Sequence, residues 1–109
     1  MQIEKKKFPD RSMVFIHSPE STKRKEIRDY ASAVLYKLVA GNEIVYLSGV
    51  GSAIKDVTNL AAIFQRGKVV KPVYYGIGSL TKEGEPKPHP RLVIGLSQKN
   101  IEPKFEFID

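Results

Sequence analysis

The apolar positions of this chain change period several times, and each change marks an element. Ile27, Tyr30, Ala31, Val34, Leu35, Leu38 and Val39 recur at helical spacing and stop at Gly41-Asn42, which predicts an amphipathic helix. The helix starts at Ser18 with Pro19 in its first turn, or a little later with Ser21 or Thr22 as the cap. Ile44 to Leu47 then run apolar without alternation into Ser48-Gly49-Val50-Gly51, after which Ala53, Val57, Leu60, Ala61 and Phe64 fall on one helix face. That pattern predicts a strand buried on both sides, a tight glycine turn and a second helix ending near Arg66-Gly67. Met13 to His17 reads as a short opening strand. Val69 to Ser79 reads as a long one, with Pro72 placing it at an edge or near its own start and Gly76 and Gly78 marking a bend or bulge. A polar, proline-rich stretch from Leu80 to Pro90 leads into a strand at Arg91 to Leu96, making a hairpin with a protruding tip. Phe105, Phe107 and Ile108 offer an edge strand in the tail.

The element order β-α-β-α-β-β predicts an α/β (α+β) domain, a four-stranded mixed sheet with two helices on one face. Residues 1–11 read as a flexible basic arm, 12–98 as the domain and 99–109 as a C-terminal tail. The other sheet face is left partly open. In addition, Ile54, Leu60, Ile63 and Phe64 occupy more of the second helix's circumference than one core-facing stripe requires. Both features point to a partner, and a dimer is expected.

Charge adds a direction. The formal net charge is +6, and residues 1–28 carry eight Lys or Arg against four acids, residues 66–104 eight against three, whereas 29–65 carry two against three. Two basic segments flanking a near-neutral middle call for a polyanion, nucleic acid before an acidic membrane or protein surface. Lys5-Lys6-Lys7 is the basic cluster of the arm. Lys23, Arg24, Lys25 and Arg28 fall in the first turns expected of helix one, where the helix dipole favours anions. Cations there repel the dipole, but together with the free N–H groups of the helix start they make a phosphate site.

Catalytic chemistry is poorly supplied. His17 and His89 lie far apart in sequence, Asp56 suits the dipole of helix two, and no metal-ligand spacing or nucleophile elbow occurs. The chain contains no cysteine, so thiolate chemistry is excluded. The glycine turn lacks the third glycine of a dinucleotide fingerprint and the Gly-Lys-Ser/Thr of a P-loop. A binding protein without catalytic residues, metal or cofactor is expected. No apolar run approaches a membrane span, which predicts an intracellular protein, of nucleus or cytoplasm if eukaryotic.

The arrangement resembles the Alba superfamily of small nucleic-acid-binding proteins over roughly residues 12–98. The resemblance rests on Lys23-Arg24-Lys25, on Asp29-Tyr30, on Glu43-Ile44-Val45, on Gly49-Val50-Gly51-Ser52-Ala53-Ile54 and on the closing hairpin. Aligned on these, the lysine pair by which archaeal Alba grips nucleic acid falls on Arg24 and Lys25. The turn is more similar to the G-L-G-x-A-I of the Alba-like subunits of eukaryotic ribonuclease P and MRP than to the R-G-R-A-I of archaeal Alba, Gly49 and Gly51 standing where the arginines would be. The resemblance implies a fold similar to the C-terminal domain of translation initiation factor three. It also implies a homodimer, or a heterodimer with another Alba-like chain, built on the helix-two side, and phosphate-led binding of RNA or DNA in a ribonucleoprotein or chromatin setting. The residues it assigns to nucleic acid are Lys23, Arg24, Lys25, Arg28, Gly49, Gly51, Ser52, Lys55, Lys82, Lys87 and Arg91.

Overall fold

A computed structural model describes residues 10–68, 70–81 and 84–108 of the chain. The arm lysines Lys5, Lys6 and Lys7 and the hairpin residue Lys82 lie outside the described residues. Five strands, β1 (Met13–Ile16), β2 (Ile44–Val50), β3 (Lys71–Leu80), β4 (His89–Ser97) and β5 (Lys104–Ile108), form one sheet in the order β1-β2-β4-β3-β5. The helices are α1 (Ile27–Val39) and α2 (Ile54–Arg66), the second entered through a 3-10 turn at Gly51–Ala53. β1 runs parallel to β2 and β5 parallel to β3, while β4 lies antiparallel between β2 and β3.

Both helices lie on one face. Tyr30, Val34 and Leu38 of α1 and Val57, Leu60, Ala61 and Phe64 of α2 form a single core with Val14, Ile16, Val45, Leu47, Ile94 and Leu96 of the sheet. Side chains of this size withdrawn from water stabilise the fold by roughly 1.5–3 kcal/mol each. The helix-free face holds a smaller cluster, in which Tyr74, Val93 and Ile108 pack with Tyr46, the two tyrosine rings meeting edge to face at 5.7 Å.

Several sequence-based expectations are corrected. The sheet has five strands rather than four, because the tail residues Lys104–Ile108 pair along β3 from Tyr74 to Gly78. Helix α1 begins at Ile27, so Lys23, Arg24 and Lys25 precede it on a loop, and the N-cap residue Glu26 makes no side-chain cap bond. The reason is local. The Ser21 N–H donates to the Ser18 carbonyl and the Arg24 N–H to the Ser21 carbonyl, while the Ser21 hydroxyl oxygen accepts from the Lys23 N–H. These short-range bonds close turns where a helix was expected.

Strand β2 runs on through Ser48, Gly49 and Val50, which pair with Val93, Leu92 and Arg91 of β4. Gly49 is therefore inside the strand, and a Cβ there would stand 2.5 Å from Val57 Cγ2, so its missing side chain lets α2 approach. Gly51 opens the turn at φ +60. The bulge of β3 falls between Pro72 and Tyr74, not at Gly76 and Gly78. Those two glycines instead leave room for the Tyr74 ring and for the end of β5.

Candidate nucleic-acid interface

The C-terminal ends of β1, β2, β3 and β5 and the start of β4 all lie at one end of the sheet, since Ile16 is level with Gly49, Val50 with Arg91, Arg91 with Gly78, and Gly78 with Ile108. Three connections leave from that end. They are the loop 17–26, the turn 51–53 that feeds α2, and the hairpin tip between β3 and β4.

The loop is held at both ends by one buried group. Tyr30, 4% exposed, presents its phenol oxygen to the backbone N–H of His17 and to that of Lys25, each at 3.1 Å. Two further contacts tie the loop to α2 and to the turn that precedes it. Arg24 Nη1 donates to Asp56 Oδ2 at 2.7 Å, and the Ser52 hydroxyl donates to Glu20 Oε2 at 3.1 Å. The Glu20 carboxyl is held below the usual carboxylate range by a backbone hydrogen bond first and then by the hydroxyls of Ser52 and Ser18.

Of the cations expected to meet a phosphate, the structure brings Lys23, Lys25 and Lys55 to this end, exposed and without an ion pair among the described residues. Arg24 is spoken for by Asp56, and Arg28 is exposed and pairs with Glu26 at 3.0 Å. Lys87 is exposed on the hairpin tip, beyond which His89 pairs with Glu85. Arg91 turns to the helix-free face, half-buried, where its Nε donates to Ser48 Oγ at 3.2 Å, and burial lowers its pKa. Gly49 is buried in β2, whereas Gly51 and Ser52 form the turn. Neither that turn nor α2 has a side-chain cap, so the N–H groups at the start of the helix get no side-chain oxygen.

The four residues expected at a dimer contact separate. Leu60 (0% exposed) and Phe64 (6%) belong to the core of one chain, Ile54 is half-buried, and Ile63 is 44% exposed. The apolar stripe of α2 is thus narrower than its sequence implied, because most of it is consumed by the sheet. A different apolar surface emerges from β5. Phe105 and Phe107 pair with Tyr75 and Ile77 on the helix-bearing side and remain 55% and 81% exposed, with Ile77 at 40%.

Sequence reasoning passed over the clamp made by Tyr30, although a tyrosine on the buried stripe of a helix needs a partner for its hydroxyl. It also gave Asp56 only a dipole role, when the carboxylate's partner is Arg24.

An open sheet with two helices on one face and a basic loop beside a glycine turn defines a small α+β fold, and that fold is similar to the one of a solved Alba protein. The chain superimposes on the crystal structure of ALBA1 from Trypanosoma brucei with a TM-score of 0.70 at 15% sequence identity, over 85% of this chain and 74% of that one. No known family's sequence profile and no curated protein sequence matches it.

Proposed function

We propose that this protein binds nucleic acid, RNA and/or DNA, as a dimer, mainly through phosphate contacts and without catalysing a reaction. The observation that carries the reading is that this fold sets the exposed Lys23 and Lys25 on a loop tied to the first turn of α2 through Arg24 and Asp56, and the exposed Lys55 in that same first turn, whose start has no side-chain cap and where helix dipole and backbone N–H groups favour an anion. RNA is the favoured ligand because the Gly49–Ile54 turn resembles that of the ribonucleoprotein members. The test is binding of labelled duplex DNA, duplex RNA and single strands at one fixed salt concentration, followed by a salt titration. Counterion release gives a log–log slope of about −0.9 per phosphate neutralised on duplex DNA and about −0.7 on single strands. Binding that ignores salt would overturn the phosphate account.

A second reading is favoured by Phe105, Phe107 and Ile77. In it the protein is an assembly subunit of a ribonucleoprotein, of ribonuclease P or MRP type, and its main task is to pair with another Alba-like chain through apolar surface that one chain leaves uncovered. Sedimentation of the parent and of Phe107→Glu separates the readings. A dimer lost in the variant supports self-pairing, and a parent that is monomeric at tens of micromolar leaves the heterodimer. No helix among the described residues is long and apolar enough to cross a membrane.

A further inference from the structure

Where β1 gives way to the loop 17–26, the surface holds a hollow of about 300 Å³ lined by Phe15, His17, Ser18, Ser21, Ser48 and Val50, with Ile16 completing it. Its walls come from two elements held in fixed register, since Phe15 of β1 pairs with Ser48 of β2. Phe15 points to the helix-free side and is 53% exposed, an aromatic surface that the core does not use. The hydroxyl oxygens of Ser21 and Ser48 already accept hydrogen bonds, from the Lys23 N–H and from Arg91 Nε, so each hydroxyl keeps its proton to donate. His17 has its backbone N–H on Tyr30 and adds an imidazole. A second hollow, of about 280 Å³, adjoins this one. Phe15 and His17 line it too, and on its far side stand Lys25, Asp29, Tyr30 and Lys37.

The lining decides what fits. No Lys, Arg or carboxylate lines the first hollow itself, Arg91 standing behind the wall with its Nε on Ser48 Oγ, and a wall of hydroxyls, one imidazole and one aromatic ring suits a flat neutral group bearing carbonyls and ring nitrogens. Lys23 and Lys25, on the loop that forms its rim, stand ready for charge just outside. A neutral, aromatic-walled hollow beside loop cations is the complement of one nucleotide of a single strand, its base in the hollow and its phosphate on the loop. A base still paired in a duplex cannot present its face to Phe15. We infer that this hollow takes an unstacked nucleobase of single-stranded nucleic acid, the ring lying on Phe15 and its polar edge meeting the hydroxyls and the imidazole. The inference rests on the nucleic-acid reading above and adds to it a ligand form, single strand or loop in preference to duplex.

The experiment compares the parent with Phe15→Ala and, separately, His17→Ala on three probes at one salt concentration: a single-stranded RNA containing 2-aminopurine, the DNA strand of the same sequence, and a blunt RNA duplex. Phe15 is exposed and outside the core, and melting curves confirm that each variant folds. Stacking on an aromatic side chain strengthens binding strongly per base, so Phe15→Ala is expected to lose about tenfold in affinity for the single strands, with less than twofold change on the duplex. The 2-aminopurine fluorescence should be quenched on binding the parent and not on binding the variant. His17→Ala should lose single-strand affinity in the same direction. A greater loss on the RNA strand than on the DNA strand assigns a role to the 2′-hydroxyl, and equal losses leave the base alone as the ligand. If both variants bind every probe as the parent does, the hollow is not a base site although the phosphate reading stands. If the parent binds none of the probes, both fall.

Discussion

Arg24 and Asp56 form an ion pair at 2.7 Å that fastens the loop before α1 to the first turn of α2, their side chains 32% and 15% exposed. The arginine that the alignment assigns to a phosphate therefore already neutralises a carboxylate of its own chain.

This pairing separates two basic residues that are neighbours in sequence. Arg24→Glu would set one carboxylate against another and is expected to cost about 1 kcal/mol, or roughly 4–8 °C in Tm. Lys25→Glu combined with Lys23→Glu should leave the melting temperature within a degree or two while reducing nucleic-acid affinity at least tenfold. Melting and binding measured on the same preparations decide it. An Arg24→Glu protein that melts with the parent would show that the pair contributes nothing to stability.

Tyr30→Phe removes the one oxygen that accepts from both His17 and Lys25. Two partly buried N–H groups are then left without that acceptor, at a cost of about 1–3 kcal/mol, and the loop loses its anchor at each end. Hydrogen exchange at the His17 and Lys25 amides should quicken relative to the β2 amides. Unchanged protection at both sites would mean that the loop is held by other contacts.

Gly78→Ala tests the fifth strand. A Cβ at Gly78 would lie 1.4 Å from the Ile108 carbonyl oxygen, so alanine and a closed β5 cannot coexist. The variant is expected to keep β1 to β4 folded and to lose amide protection across residues 104–108, with a loss of about 1–3 kcal/mol overall. Retained protection there would place the end of β5 elsewhere.

The Tyr74 phenol is pushed up to about 12, first by burial and then by the Glu106 carboxylate. A folded-state pKa above the unfolded value of about 10 favours the neutral phenol in the fold. Its contribution to stability is accordingly complete below pH 10 and is lost as pH rises from 10 to 12. Absorbance of phenolate in the native protein should show a late phase near pH 12 that Tyr74→Phe lacks, and the variant's Tm should fall less steeply over that interval. A variant with the parent's titration curve would refute the assignment.

The helices and the order of the first four strands were legible because periodicity reports burial, and burial against one sheet face is what orders Val34, Leu38, Val57 and Leu60. The start of α1 was not legible. Ser21 caps like a helix N-terminus in sequence, yet its oxygen bonds the Lys23 N–H to close a turn. Leu60 and Phe64 were misplaced toward a partner because a helix pattern records how much apolar surface exists and not how wide a sheet covers it. The alternation of Phe105, Phe107 and Ile108 did offer an edge strand, but its place in the sheet needed a long-range fact, the pairing of β3 with β5 that the missing Cβ at Gly78 permits. Charge drew out the basic loop, but the engagement of Arg24 within the fold depends on Asp56, thirty-two residues away.

The direction of the two outer strands also fixes where anything joined to this domain must emerge. Chain entering at Asp10 arrives at the end of the sheet where β2 begins, whereas chain leaving past Ile108 departs level with Gly78, Arg91 and Val50. A fluorophore, tag or neighbouring domain attached after β5 would stand at the same end of the sheet as the loop 17–26 but at the opposite edge, since β1 and β5 are the outer strands. The same addition ahead of β1 would sit at the far rim and leave that end open.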